Sequence, residues 1–164
     1  MTFFLYGPPA SGKSTLAVKL AAASGGVPID LDERIVQHIG MTIAEYFEKF
    51  GEAEFRKIEG RVLRETIDEA SSGCRIVALG GGALLDEANR KVCEAAGRVV
   101  CLDAPSDKEL ERRIADGKNS RPLGNRLAER AEHYASFPYR ISKFPAVILI
   151  LIPVMTQFIP THIF

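Results

Sequence analysis

Eight residues near the start of the chain, Gly7-Pro-Pro-Ala-Ser-Gly12-Lys13-Ser14, fit the pattern G-x-x-x-x-G-K-[ST]. An apolar run, Thr2 to Tyr6, precedes them, and Ser14 to Ala23 continues with helical periodicity. Strand, glycine loop and helix in that order are the opening of an α/β domain. Such a loop turns its backbone N–H groups inward around an anion, and the helix that follows presents free amides and the positive end of its dipole. Gly7, Ala10, Ser11, Gly12, Lys13, Ser14 and Thr15 are the candidate cradle. Lys13 supplies a mobile positive charge for β and γ phosphates, and the Ser14 hydroxyl supplies an oxygen for Mg²⁺. An ordinary glycine turn with a surface lysine matches the letters but not the strand-to-helix setting.

The alternation continues along the chain. Val27 to Asp30, Arg75 to Leu79 and Arg98 to Leu102 are predicted strands, and Thr42 to Phe50, Glu54 to Ser71 and Asp86 to Ala96 are predicted helices. Ser106 is placed to cap a helix from Asp107 to Asp116, and another helix is expected from about Asn125 to Ala135. Strands alternating with helices imply a parallel sheet with right-handed crossovers, helices on both faces and ligands at the carboxyl ends of the strands. At 164 residues one domain is expected over 1–164, with its core in 1–143. The polar stretch around 116–126 reads as a lid.

The last 21 residues, Phe144 to Phe164, hold no Asp, Glu, Lys or Arg and are interrupted by Pro145, Pro153 and Pro160. The apolar run Ala146 to Ile152 is too short to span a bilayer and is read as a buried fifth strand. Twenty-one basic residues balance twenty-one acidic ones, so no net charge favours nucleic acid or an anionic membrane. Three cysteines without a CxxC pair suggest neither a disulfide framework nor a zinc site. With no basic region ahead of an apolar leader, a cytoplasmic protein is expected.

Three further groups bear on what receives a phosphoryl group. Asp30-Leu31-Asp32 follows the second strand, and in an extended dipeptide both carboxylates share one side, one suited to Mg²⁺ and one to a hydroxyl. Taken alone, the same residues also fit a turn with acidic helix caps. Arg56 and Glu59 lie three apart on one helical face, so the carboxylate can orient a guanidinium that reads an organic acid, although a weak surface ion pair has the same spacing. Gly80-Gly81-Gly82 after a strand end allows close backbone approach to a ligand, or forms a plain loop.

With these residues the sequence resembles the shikimate kinases from about Phe3 to Tyr134. The likeness includes the glycine loop, Asp30-Leu-Asp32, Gly40-Met-Thr-Ile-Ala-Glu-Tyr-Phe47, Gly51-Glu-Ala-Glu-Phe-Arg56-Lys-Ile-Glu59 and Gly80-Gly-Gly82. It continues through Arg121-Pro-Leu123 and Leu127-Ala-Glu-Arg130-Ala-Glu-His-Tyr134. The resemblance implies a three-layer α/β/α P-loop kinase fold with a five-stranded parallel sheet, a helical substrate-binding segment at about 31–60 and a short lid. It implies ATP-dependent phosphorylation of the shikimate 3-hydroxyl, with ATP and Mg²⁺ as cofactors; from charge balance and the short apolar run no nucleic-acid or membrane partner is expected, and a monomer is expected. By the same resemblance Lys13 and Arg121 would touch the ATP phosphates, Ser14 and Asp30 would serve Mg²⁺, and Asp32 would take the acceptor proton. Arg56 and Arg130 would clamp the shikimate carboxylate, Gly80, Gly81 and Gly82 would face the ring, and Phe47 and Phe55 would line the pocket. Arg113, or its neighbour Arg112, would lie against adenine. Arg126 is an alternative to Arg130, because Arg121 and Arg130 are only nine residues apart where the family's lid is longer. A gluconate-type kinase on the same scaffold, or a nucleotide-binding protein without transfer activity, are the rival readings.

Overall fold

A computed structural model describes residues 1–69, 73–103 and 129–141. Five parallel strands form one sheet: β1 (Thr2–Tyr6), β2 (Val27–Asp30), β3 (Arg75–Ala78), β4 (Arg98–Leu102) and β5 (Arg140–Ile141). Their order across the sheet is β2-β3-β1-β4-β5. Phe4 lies opposite Val77 on one side and Val99 on the other, so the first strand in sequence is the middle one in space. Central strands are buried on both faces, which is why their sequences are continuous apolar runs rather than alternating ones.

Period-two geometry sorts those runs into two cores. Phe3, Leu5, Ile76, Ala78, Val100 and Leu102 meet Leu16, Ala17, Leu20 and Ala21 of helix α1 (Lys13–Ser24). On the opposite face Phe4, Tyr6, Val77, Val99 and Cys101 pack with residues of α2 (Leu31–Ile39), α3 (Ile43–Asp68) and α4 (Glu87–Ala96). Tyr134 of the short α5 (Ala131–Ala135) closes that core. Each large side chain withdrawn from water here stabilises the fold by about 1.5–3 kcal/mol. The crossover after β1 runs one way to β2, whereas those after β3 and β4 run the other way. The divergence opens a crevice at the carboxyl end of β1, where the glycine loop begins.

Strands β1, β2 and β4 have the predicted limits, and α4 starts one residue after its Asp86 cap, which accepts from Ala88 N at 2.8 Å. A reciprocal Thr42–Glu45 capping box starts α3, and a non-helical Gly51 (φ 81°, ψ 171°) breaks it where two helices are expected. Two expectations are corrected. Asp30-Leu31-Asp32 is not extended: Asp30 caps α2 by accepting from Asp32 N (3.0 Å) and Glu33 N (3.3 Å), so Asp32 stands in a helical first turn. The strand next to β4 starts at Arg140, with Cys101 N donating to Tyr139 O and Asp103 N to Ile141 O, six residues before the expected Ala146. At the start of this strand the Arg140 guanidinium pairs with Asp103, just past β4, at 2.5 Å. The run 146–152, the expected helix 107–116, the lid at 116–126 and the end of the chain lie outside the described residues. Among the described residues no helix is long and apolar enough to cross a membrane.

Candidate active site

The glycine loop is fixed first by the sheet. Gly7 has φ 130°, and a Cβ there would stand 2.3 Å from the Leu102 carbonyl oxygen at the end of β4. Ala10 (φ 59°) and Gly12 (φ 90°) complete a turn that folds the backbone over the start of α1. The first bond within that helix runs from Leu16 N to Gly12 O, so the amides of Lys13, Ser14 and Thr15 have no acceptor inside it. The Lys13 side chain is buried under the loop. Its Nζ donates to Gly7 O (2.9 Å), Pro8 O (2.7 Å) and the Ser11 hydroxyl (3.3 Å). Burial lowers its pKa to about 8, with the neighbouring Asp32 and Asp30 charges opposing the shift.

The Ser14 hydroxyl donates to Asp30 Oδ2 at 2.5 Å, while Oδ1 of the same carboxylate caps α2. The helix-cap reading of Asp30 thus holds through Oδ1, and Oδ2 is engaged by the Ser14 hydroxyl. A hydroxyl and a carboxylate side by side are hard oxygen donors, suited to a Mg²⁺ ion that keeps most of its waters and shares phosphate oxygens. Among the described residues no group of three or more His, Cys, Asp or Glu side chains is placed to hold a metal by itself.

Asp32 and Arg56 approach the third glycine stretch from two directions. A Cβ on Gly80 would lie 3.0 Å from Asp32 Oδ1 and 3.0 Å from Glu59 Oε1, and one on Gly82 would lie 2.5 Å from Arg56 Nη2. A side chain at either position would displace these carboxylate or guanidinium ends from the glycine backbone they abut. Arg56 Nη1 donates to Glu59 Oε2 at 2.5 Å and Nη2 to Glu52 Oε1 at 2.9 Å. Glu59 is only 1% exposed, which removes the surface-pair reading of this spacing. Burial acts to lower the Arg56 pKa, but Glu59 and Glu52 more than offset it and hold the guanidinium charged. Phe55 is fully buried, with its ring 4.5 Å from that of Phe47 and the Arg56 guanidinium 5.4 Å above it, so the two aromatics support the arginine from behind.

Gly81 faces the other way. Tyr134 Oη donates to its carbonyl at 2.7 Å and Tyr6 Oη at 3.3 Å. Arg130 stands at the head of α5, where its carbonyl accepts from Tyr134 N at 3.0 Å, and burial pushes the Tyr134 phenol up while the Arg130 charge pulls it down. Lys13, Ser14, Asp30, Asp32, Arg56, Gly80, Gly81, Gly82 and Arg130 are therefore gathered along the carboxyl ends of β1, β2 and β3. Arg112, Arg113, Arg121 and Arg126 lie outside the described residues. The two tyrosines are the members that sequence reasoning missed. The four-residue step from Arg130 to Tyr134 is one helical turn and was the available signal.

The sequence pattern of the family described as "Shikimate kinase" matches residues 9–143. A shikimate kinase of Salinibacter ruber is 45% identical over 123 residues, which are 75% of this chain and 58% of that protein. The chain thus spans less than two thirds of that relative's length. Among solved structures, shikimate kinase from Aquifex aeolicus superposes with a TM-score of 0.76 at 29% identity, covering 96% of each chain. The Acinetobacter baumannii enzyme, solved in complex with shikimate, gives 0.74 at 29% identity over 95% of this chain and 90% of that one. The parallel α/β fold agrees with these structural likenesses, and with the family pattern matched over most of its length the chain belongs to the shikimate kinase family.

Proposed function

We propose that this protein transfers the γ-phosphoryl group of ATP to the 3-hydroxyl of shikimate, giving shikimate 3-phosphate and ADP. The observation that carries the reading is the placement of Asp32 and Arg56 on one glycine stretch, with Asp32 also within electrostatic reach of buried Lys13. An acid held at Arg56 then has its hydroxyls directed toward Asp32 and the phosphate end. The bond from γ-phosphorus to its bridging oxygen breaks, one to the acceptor oxygen forms, and Asp32 takes the hydroxyl proton. Most catalysis of such a step is positioning and charge stabilisation. The loop amides of Gly7, Ala10, Ser11, Gly12, Lys13, Ser14 and Thr15, with the Lys13 side chain, hold the phosphates. Ser14 and Asp30 hold Mg²⁺, which when bound neutralises phosphate charge. Arg56 and Arg130 hold the carboxylate, and segment 31–60 forms the acceptor side of a single domain. Arg121 and Arg113 complete the nucleotide side from the sequence likeness alone.

Arg56→Ala is the direct test. It removes a charge-assisted clamp worth about 1.5–3 kcal/mol, so shikimate KM rises by roughly ten- to a hundredfold while that for ATP stays nearly constant. Equal loss for both substrates, or turnover of gluconate in preference to shikimate by the parent protein, would overturn the reading.

Lys13 adds a pH dependence. Its charge is present below about pH 8 and lost above it in the free protein. Triphosphate binding favours the charged form, so ADP affinity measured by calorimetry falls above that pH, by up to about tenfold per unit. Lys13→Arg stays charged throughout and should show no break. A flat profile in the parent protein would exclude Lys13 from the phosphate site.

A further inference from the structure

The Gly80–Gly82 turn that meets Arg56 has no side chains with which to fix its place against α3, so the spacing between them is set from outside. Asn89, in the first turn of α4, supplies a directional tie. It is a polar residue only 2% exposed, and its Nδ2 donates to Ala83 O, the carbonyl directly after Gly82, at 3.1 Å. Its Oδ1 accepts from Arg64 Nη1 of α3 at 3.1 Å. Arg64 can only donate and a carbonyl can only accept, so the carboxamide has a single workable orientation. A Cβ on Gly60, one turn after Arg56 on α3, would lie 3.1 Å from the same Oδ1, so the helix backbone comes close to the amide as well. The tie passes into the turn itself: Ala83 N donates to Gly80 O at 3.0 Å and Leu85 N to Gly82 O at 3.2 Å. Ala83 and Leu84 are fully buried, which anchors the turn in the core, but apolar burial is non-directional and leaves its register to the hydrogen bonds.

From this arrangement we infer that Asn89 is a positioning residue for the acceptor: bridging α3 to the turn before α4, it holds the Gly80–Gly82 backbone in register with the Arg56 guanidinium. An acceptor held between that guanidinium and that backbone needs both at a fixed spacing. A site already set loses less freedom on binding than one that must be ordered at that moment. Loosening the bridge therefore weakens acceptor binding. The phosphate loop is held separately, by β4 at Gly7 and by Lys13 beneath it. The inference rests on Arg56 as the acceptor clamp, proposed above.

Asn89→Asp keeps the size and the bond from Arg64 but replaces the donor to Ala83 O with an acceptor. Shikimate KM is expected to rise by roughly three- to tenfold, as the loss of one hydrogen bond would give, with kcat and calorimetric ADP affinity each changing by under about twofold. Arg64→Met, at an exposed position, removes the other arm of the bridge and should raise shikimate KM in the same selective way, by roughly two- to fivefold. In an Arg56→Ala background Asn89→Asp should add under about twofold, because the guanidinium it aligns is gone. An unchanged KM, an equal rise in both backgrounds or a parallel fall in ADP affinity would each make the amide a structural tie and overturn the inference. Should Asn89→Asp not fold, Arg64→Met decides the matter, and an unchanged KM there overturns it. Arg56→Ala with an unchanged shikimate KM fails differently: it removes the clamp reading itself.

Discussion

Asp32→Asn is expected to lower kcat for phosphoryl transfer to shikimate by about 10² to 10⁴, the range a positioned general base supplies. The variant is nearly isosteric, and the helix start does not depend on the lost charge. Asp30 provides the cap of α2, and Asp32 contributes only its backbone N–H to it. The remaining structural cost is one favourable charge in the first helical turn, about 0.3–1 kcal/mol. That corresponds to a fall in Tm of a few degrees, since about 1 kcal/mol moves Tm by roughly 2–4 °C at this size. A collapse in rate with the melting curve nearly in place is thus a chemical effect.

The same substitution has a second readout. The Asp32 charge raises the pKa of Lys13 against the desolvation that lowers it to about 8. Without that charge the pH at which ADP affinity begins to fall moves lower, while affinity at pH 7 is largely kept. Steady-state rates and calorimetry across pH therefore report one carboxylate by two routes. Unchanged kcat would remove Asp32 as the base; a fixed pH break would show that it and Lys13 are electrically independent.

Much of this arrangement was legible from local pattern. The apolar runs of β1, β2 and β4, the helix starts at Thr42 and Asp86, and the glycine loop each carry their signal within a few residues. Helix α2 did not, because Asp-Leu-Asp serves an extended exit from a strand or a capped helix start equally well. The deciding fact is which backbone amides meet Asp30 Oδ1. The start of β5 was hidden for the opposite reason. A strong apolar run at 146–152 outweighed Arg140, whose edge position is seen only once Cys101 N and Asp103 N bond Tyr139 O and Ile141 O, nearly forty residues on. The link from Tyr134 to Gly81 spans 53 residues and exists only once the sheet has brought α5 against the end of β3. Residue types named the participants, and long-range packing decided which of them touch.

Gly7→Ala is expected to be the most destabilising of these changes, and for a reason separate from nucleotide binding. The φ of 130° is itself unfavourable for a residue with a side chain, at about 1–3 kcal/mol. The added methyl would also meet the Leu102 carbonyl at 2.3 Å, and that oxygen belongs to a central strand that cannot yield freely. Overpacking of this kind costs a further ~1–3 kcal/mol. The sum is a large part of the 5–15 kcal/mol typical of whole domains, so Tm should fall by roughly 5–20 °C. Gly25→Ala is the matched control: its φ is 65°, but nothing lies within 4 Å of the new Cβ, so only strain remains and the loss should be about 1 kcal/mol. Both variants can be compared by thermal melts with and without ADP. If Gly7→Ala melts no lower than Gly25→Ala, β4 does not constrain the loop. If it melts far lower even without nucleotide, the first glycine of the phosphate loop is required by the neighbouring strand before any phosphate is present.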